Sequence, residues 1–227
     1  MCGKFTQMRK WRDIVDFSTP LERVLTGPEH AADFEVITPM RRASVLHLDE
    51  MGRRTITPMR WGFPGPHATS AKEPPKFIHA RAETIDTKPT FAEAFRQRRG
   101  VVPVHSFNEG EEVASKVIQY TIRPLDDVPL YIAVIWQEWQ FPDGELLPCF
   151  VMATVEPNEL IAAKTDRMPA IIAHHDLAVW LGETDASLDE IKALLRTVDD
   201  EGWEMNKELP KGKGAAPSKA PSQGSLF

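Results

Sequence analysis

A cysteine follows the initiator methionine in the opening Met1-Cys2-Gly3-Lys4. Removal of Met1, which so small a second residue ordinarily permits, puts a primary amine and a thiol on one carbon. Their reference pKa values are about 7.7–8.0 and about 8.5, so both are partly deprotonated near neutral pH. A 1,2-aminothiol condenses with an aldehyde to a Schiff base, and the thiol then closes a stable five-membered thiazolidine. On position alone, a Cys without a chemical role is the commoner reading.

Other residues with chemical potential are more ambiguous. The run His174-His175-Asp176 has metal-ligating residue types but lacks spaced partner ligands, and it reads better as the start of a helix; neither a metal nor a cofactor is expected. The net charge of −6 conceals an asymmetry, with 17 Lys+Arg against 12 Asp+Glu in residues 1–100 and 10 against 21 in residues 101–227. A polyanionic partner is therefore expected on the first half. Basic residues cluster there as Lys4, Arg9, Lys10 and Arg12, then Arg41 and Arg42, Arg53 and Arg54, Arg60, Arg81, and Arg96, Arg98 and Arg99. Any one of them is more often solvated surface than a phosphate contact.

The elements that must position these groups are mostly short strands. β-Branched and aromatic runs bounded by Pro, Gly or Asp predict strands over Phe34–Ile37, Ser44–Leu48, Thr55–Trp61, Phe77–Ala80, Val101–Ser106, Lys116–Ile122, Leu130–Trp136 and Cys149–Val155. Helices are expected over Met8–Phe17, Phe91–Arg99, Asn158–Ala163, Asp176–Leu181 and Leu188–Arg196, with Thr90 capping the second and a Ser187–Glu190 capping box opening the last. Strands outnumber helices without regular alternation. That pattern argues for a single α+β domain with a curled, mainly antiparallel sheet.

Length and composition fit this picture: 227 residues, 42% hydrophobic and 26% charged, are enough for one ordinary core. Only Cys2 and Cys149 are present, so no disulfide framework is implied and a reducing cytoplasm fits best. No apolar run is long enough for a membrane span, and no export signal is expected. The domain is assigned to 1–206. Residues 207–222, rich in Lys, Gly, Ala, Pro and Ser, are expected to be a disordered linker. The final Gln223-Gly224-Ser225-Leu226-Phe227 resembles the bacterial sliding-clamp-binding pentapeptide, in which a Gln bonds at a pocket edge and a Leu-Phe pair fills an apolar cleft; Gln223, Leu226 and Phe227 are its candidate contacts.

Seven segments carry a broader resemblance, in order along the chain. They are Met1-Cys2-Gly3-Lys4-Phe5, Met59-Arg60-Trp61-Gly62, Ala80-Arg81-Ala82-Glu83-Thr84, Val101-Val102-Pro103, Phe107-Asn108-Glu109, Ile135-Trp136 and Asp166-Arg167-Met168-Pro169. Together they resemble the signature blocks of the SRAP (SOS response-associated peptidase) family over roughly residues 2–182. The resemblance implies a compact fold around a β-barrel-like sheet, binding of single-stranded DNA with abasic sites, and trapping of the sugar aldehyde by the N-terminal Cys as a thiazolidine. It also implies autocatalytic removal of Met1, the activity behind the peptidase name, and a cytoplasmic, nucleoid-associated monomer.

On this resemblance Cys2 matches the nucleophile and Glu109 the acidic residue that assists proton transfer. Arg81, and Lys4 where the family typically has Arg, match phosphate-holding positions; Lys keeps the charge but loses the bidentate fork. Trp61 is expected either to offer a stacking surface to DNA or to be core. Arg167 is expected to brace its own loop. Two departures stand out: the family's active-site Asn is His79 here, and its active-site His is Thr165. A Thr cannot titrate near neutral pH, so His79, or less readily His105, is a candidate substitute. The segment Pro103-Val104-His105-Ser106-Phe107-Asn108-Glu109-Gly110 also lacks the family's Asp-Gly turn and the Trp after Glu. Three readings follow: a covalent abasic-site trap, a non-catalytic DNA-binding paralogue tethered to a clamp, and an N-terminal-Cys amidohydrolase or peptidase.

Overall fold

The computed structural model describes residues 2–8, 34–114, 116–126 and 128–208. The helix expected over Met8–Phe17 lies outside these residues except for Met8, which ends a strand, and so do most of the expected linker and the peptide Gln223–Phe227. Among the described residues twelve strands form one sheet: β1 (Lys4–Met8), β2 (Phe34–Ile37), β3 (Arg42–Leu48), β4 (Arg54–Trp61), β5 (His79–Arg81), β6 (Arg99–Val113), β7 (Lys116–Pro124), β8 (Leu130–Gln140), β9 (Leu146–Val155), β10 (Met168–Pro169), β11 (Ile171–Ile172) and β12 (Trp203–Lys207). Short helices are α1 (Pro89–Gln97), α2 (Glu159–Ala162), α3 (Leu177–Leu181) and α4 (Leu188–Ala193). This is the sheet-dominated α+β fold expected.

The sheet curls until it meets itself. β3 pairs with β4, β4 with β9, β9 with β8, β8 with β6 and β6 with β3 again, a ring of pairings. The β4–β9 contact is parallel and the other four are antiparallel. Inside sit fully buried aromatic and aliphatic side chains, among them Phe5, Leu46, Trp61, Phe107 and Phe150.

β6 does two jobs. Its first half, Arg99–Val104, closes the ring against β8 and β3, whereas its second half runs on past the predicted end at Ser106 and pairs with β1 and β7. Flanked by partners on both edges, Phe107, Asn108 and Glu109 are all buried, so the apolar-polar alternation that marks a half-solvated strand is absent. Gln7 holds β1 in place: its amide donates to Ser44 O (2.9 Å), and its carbonyl accepts from Ser44 N (2.8 Å), beside the bulge between Thr6 and Gln7.

Arg99 belongs to β6 and does not end α1. Its guanidinium is buried, donating to Phe95 O (2.7 Å) and Arg96 O (2.6 Å) at the end of α1 and to Trp180 O (2.6 Å) of α3. It thereby satisfies carbonyls that a helix end leaves open. α1 starts with Lys88 at the cap position and Pro89 in the first turn, where its fixed φ suits a helix, so Thr90 is inside the helix and is not its cap. The expected Ser187–Glu190 capping box is present. β12, absent from the sequence reading, pairs with β7 through Lys207. No helix among the described residues is long and apolar enough to cross a membrane.

Closure leaves no room at Gly100, where a Cβ would sit 2.8 Å from Leu46 O and 2.9 Å from Val45 Cγ1. Backbone on one side cannot move aside. Gly100→Ala is expected to destabilise the chain by about 1–3 kcal/mol, read as a lower denaturant midpoint with an unchanged m-value.

Candidate active site

The β1–β6 register sets Lys4 opposite Asn108 and Phe5 opposite Phe107. Cys2, just before β1, is thereby carried alongside Glu109, and both are buried. The Cys2 main chain lies close enough to the Glu109 carboxyl and to the His79 ring to act on the charge of each, so three of the residues singled out in the sequence converge. The thiol donates to Lys4 O at 3.2 Å.

Burial dominates the electrostatics of all three. The Cys2 thiol is pushed up to about 12, by burial first and then by the negative charge of Glu109, against main-chain hydrogen bonds at Lys4 and Asn108. Burial also raises Glu109 to about 7, with Asp166 adding to the rise and the Cys2 main chain opposing it. The same desolvation lowers His79 to about 4 despite the opposing effect of the Cys2 main chain. At neutral pH the site therefore holds a protonated thiol, an uncharged imidazole and a carboxyl poised between its two states. A group near the ambient pH is the efficient proton carrier; an imidazole held near 4 is a poor one.

The remaining expected residues fall into different surroundings. Ala80 is buried while His79 and Arg81 occupy the opposite face of β5, so Arg81 projects exposed from the same face as His79. Lys4 is engaged: its Nζ lies 2.7 and 2.8 Å from the two oxygens of Glu208. Trp61 offers no stacking surface, because its ring is fully buried between Phe5 (5.2 Å between centroids) and Phe150 (6.4 Å) and its Nε1 donates to Ile78 O at 2.9 Å. Of its two readings, core is the one the packing fits.

Arg167 donates to Glu83 (2.5 and 2.9 Å) and to Thr154 O (2.6 Å), tying the β10 segment to the turn after β5. Thr165 is half-buried, its N–H donating to Ile161 O at 3.1 Å. His105 packs against Phe34 at 4.8 Å, away from the Cys2 contacts given above. Arg9, Lys10 and Arg12 lie outside the described residues; among those described, Arg54 pairs with Glu183 (2.7 Å), Arg53 with Asp49 (2.9 Å), and Arg60 and Arg99 are buried. Arg41, Arg42, Arg81 and Arg96 remain exposed. Among the described residues no group of three or more His, Cys, Asp or Glu is arranged to hold a metal.

The model of the SOS response associated peptidase (SRAP) family matches residues 1–208. The chain belongs to this family. Two relatives in Bacillus subtilis (strain 168) are named abasic site processing proteins. YoaM is 30% identical over 205 residues, covering 90% of this chain and 89% of its own, and YoqW is 28% identical over 205 residues, covering 90% of each. A solved structure from Bordetella bronchiseptica shares the fold with a TM-score of 0.74 at 16% identity, covering 92% of this chain and all of that one. Another, from Bacteroides thetaiotaomicron, gives 0.66 at 25% identity over 76% of each chain.

Within this SRAP chain, sequence reasoning missed Glu208, which pairs with Lys4, and Asn108 and Thr121, which donate to the Glu208 carboxylate. Asn108 lay inside a quoted block; nothing local marks Thr121 or Glu208, whose roles depend on the β6–β7–β12 pairing.

The Glu109 environment gives a test of sign. Its folded value, about 7, lies above the reference of 4.5 for the free side chain, so between those pH values the folded chain keeps a proton that the unfolded chain has released. Stability attributable to this carboxyl is full below pH 4.5 and falls as pH rises towards 7. Glu109→Gln should remove that fall, gaining on the order of 3 kcal/mol relative to wild type between pH 4.5 and pH 8. Urea unfolding across that range checks it.

Proposed function

We propose that this SRAP protein processes abasic sites in DNA, and that it does so by covalent capture through Cys2 freed of Met1. The observation that carries the reading is the burial of Cys2 beside the Glu109 carboxyl, close enough for each to shift the other, because the Cys2 main-chain nitrogen is the atom that becomes the attacking amine. The printed names of the Bacillus relatives support the substrate class.

The steps balance without a cofactor. Hydrolysis of the Met1–Cys2 bond consumes one water and releases the amine. The amine then attacks the aldehyde carbon of the ring-opened deoxyribose, forming a C–N bond and a carbinolamine. Protonated Glu109 delivers its proton to the departing hydroxyl, which leaves as water and yields the iminium. The thiol adds to the iminium carbon while its proton returns to the Glu109 carboxylate, and the ring nitrogen is left as a neutral secondary amine. The product is a thiazolidine, and the sum is aldehyde plus aminothiol giving thiazolidine plus water.

A thiol kept protonated by burial needs a base at the moment of attack, and Glu109 lies beside it with a value near neutrality. His79, uncharged at this pH, packs beside the Cys2 main chain and helps to orient it. Arg81 and Lys4 hold the flanking phosphates of the single strand.

Purified protein incubated with abasic single-stranded DNA should give a shifted band on a denaturing gel. Cys2→Ala should give none. Glu109→Gln should slow capture by about 10²–10⁴-fold and remove the inflection near pH 7 from the rate profile. DNA binding by wild type with no covalent band would instead favour the non-catalytic paralogue, and amide turnover without DNA the hydrolase. For the tail, Gln223, Leu226 and Phe227 dock on the bacterial sliding clamp. Surface plasmon resonance on immobilised clamp should register the full chain and lose the signal when residues 223–227 are deleted.

A further inference from the structure

The carboxylate of Glu208 is held by donors from three different strands. Lys4 Nζ of β1 reaches both oxygens at 2.7 and 2.8 Å, Asn108 Nδ2 of β6 donates at 2.9 Å, and Thr121 Oγ1 of β7 donates at 3.2 Å. Burial acts to raise Glu208, but Lys4, Thr121 and Asn108 outweigh it and hold the carboxyl below the ordinary range, so it is anionic at neutral pH. An ammonium, an amide and a hydroxyl converging on one anionic oxygen pair also suit a phosphodiester.

The place of this cradle is what gives the contact meaning. Lys4 is two residues from Cys2, and Asn108 immediately precedes Glu109, so the cradle adjoins the reacting groups. The Lys4 and Glu208 side chains keep 24% and 36% of their surface exposed, which lets a ligand approach from solvent. Glu208 follows directly on β12, whose only strand partner among the described residues is β7, and its N–H bonds Gln119 O at 2.8 Å. The carboxylate can therefore leave by side-chain rotation without disturbing the ring.

We propose that Glu208 is an internal competitor for DNA, its carboxylate occupying the place of a backbone phosphate that must displace it before a strand is seated beside Cys2. The proposal rests on the abasic-DNA reading above. In wild type, phosphate binding exchanges one anion on Lys4 for another, and little net attraction is gained. With Glu208 neutralised, Lys4 contributes its full charge.

The test is fluorescence anisotropy of an undamaged single-stranded oligonucleotide on the full chain between about 50 and 200 mM salt. Glu208→Gln should bind several-fold tighter at the low end, with a salt slope steeper by about 0.7, the increment for one more single-strand phosphate neutralised. Glu208→Ala should do the same, which guards against an effect peculiar to the amide. Adding Lys4→Gln should erase the gain. A wild type that binds DNA while both Glu208 variants bind no tighter overturns the proposal, as does a gain that survives Lys4→Gln. Wild-type capture of an abasic oligonucleotide is read in parallel. Capture with unchanged variant affinity overturns the competitor alone, whereas absence of both capture and binding overturns the parent reading and the competitor with it.

Discussion

One strand, β6, carries both the architecture and the site. Its first half must lie between β3 and β8 to complete the ring, and its second half must continue between β1 and β7. Every backbone group on both edges is then available for pairing, which is what lets the strand be buried at all. The cost falls on its side chains. Gly100 must have none, Arg99 must find carbonyls in α1 and α3, and Glu109 is drawn into a place from which water is excluded. The acid and the closure of the fold are thus consequences of the same placement.

Exclusion of water then sets the chemistry. The three titratable groups around the Cys2 main chain are shifted first by burial, and burial disfavours the charged form of each, so the thiol and the carboxyl move up and the imidazole moves down. The shifts separate their roles. Only Glu109 arrives near neutral pH; Cys2 is left protonated and His79 neutral. A site made of three ionisable residues behaves, at pH 7, as a single proton carrier flanked by two neutral groups.

Legibility in the sequence followed the strength of local signals. The eight predicted strands are present because their β-branched and aromatic runs have clear breakers on either side, and the Ser187–Glu190 box is a local motif whose partners are three residues apart. The second half of β6 could not be seen, since Asn108-Glu109-Gly110 looks like a turn unless β1 and β7 are known to flank it. β1 and β12 are short and mixed, and their stability comes from partners distant along the chain. Cys2 stood out by its place after Met1, Glu109 through a family block and His79 as a departure from the family pattern, whereas their convergence around the Cys2 main chain required the fold. Within the basic clusters, formal charge does not reveal that Arg54 and Arg99 spend theirs on Glu183 and on helix carbonyls.

The two departures from the family pattern are best understood together. A Thr at 165 removes an imidazole, and a His at 79 replaces an amide, which invites the idea that the proton-carrying function has simply moved. The environment argues otherwise. At position 79 desolvation holds the imidazole near 4, and the neighbouring Cys2 main chain recovers only part of that fall. In the proposed capture a neutral imidazole there can stand in for an amide, offering hydrogen-bonding groups beside Cys2 without carrying charge. In the proposed capture the proton work falls to Glu109, whose value of about 7 would allow it to give a proton at one step and accept one at the next. On this view the chain substitutes one neutral hydrogen-bonding ring for one amide and depends on a single carboxyl, so its chemistry is governed by how completely β6 keeps Glu109 from water.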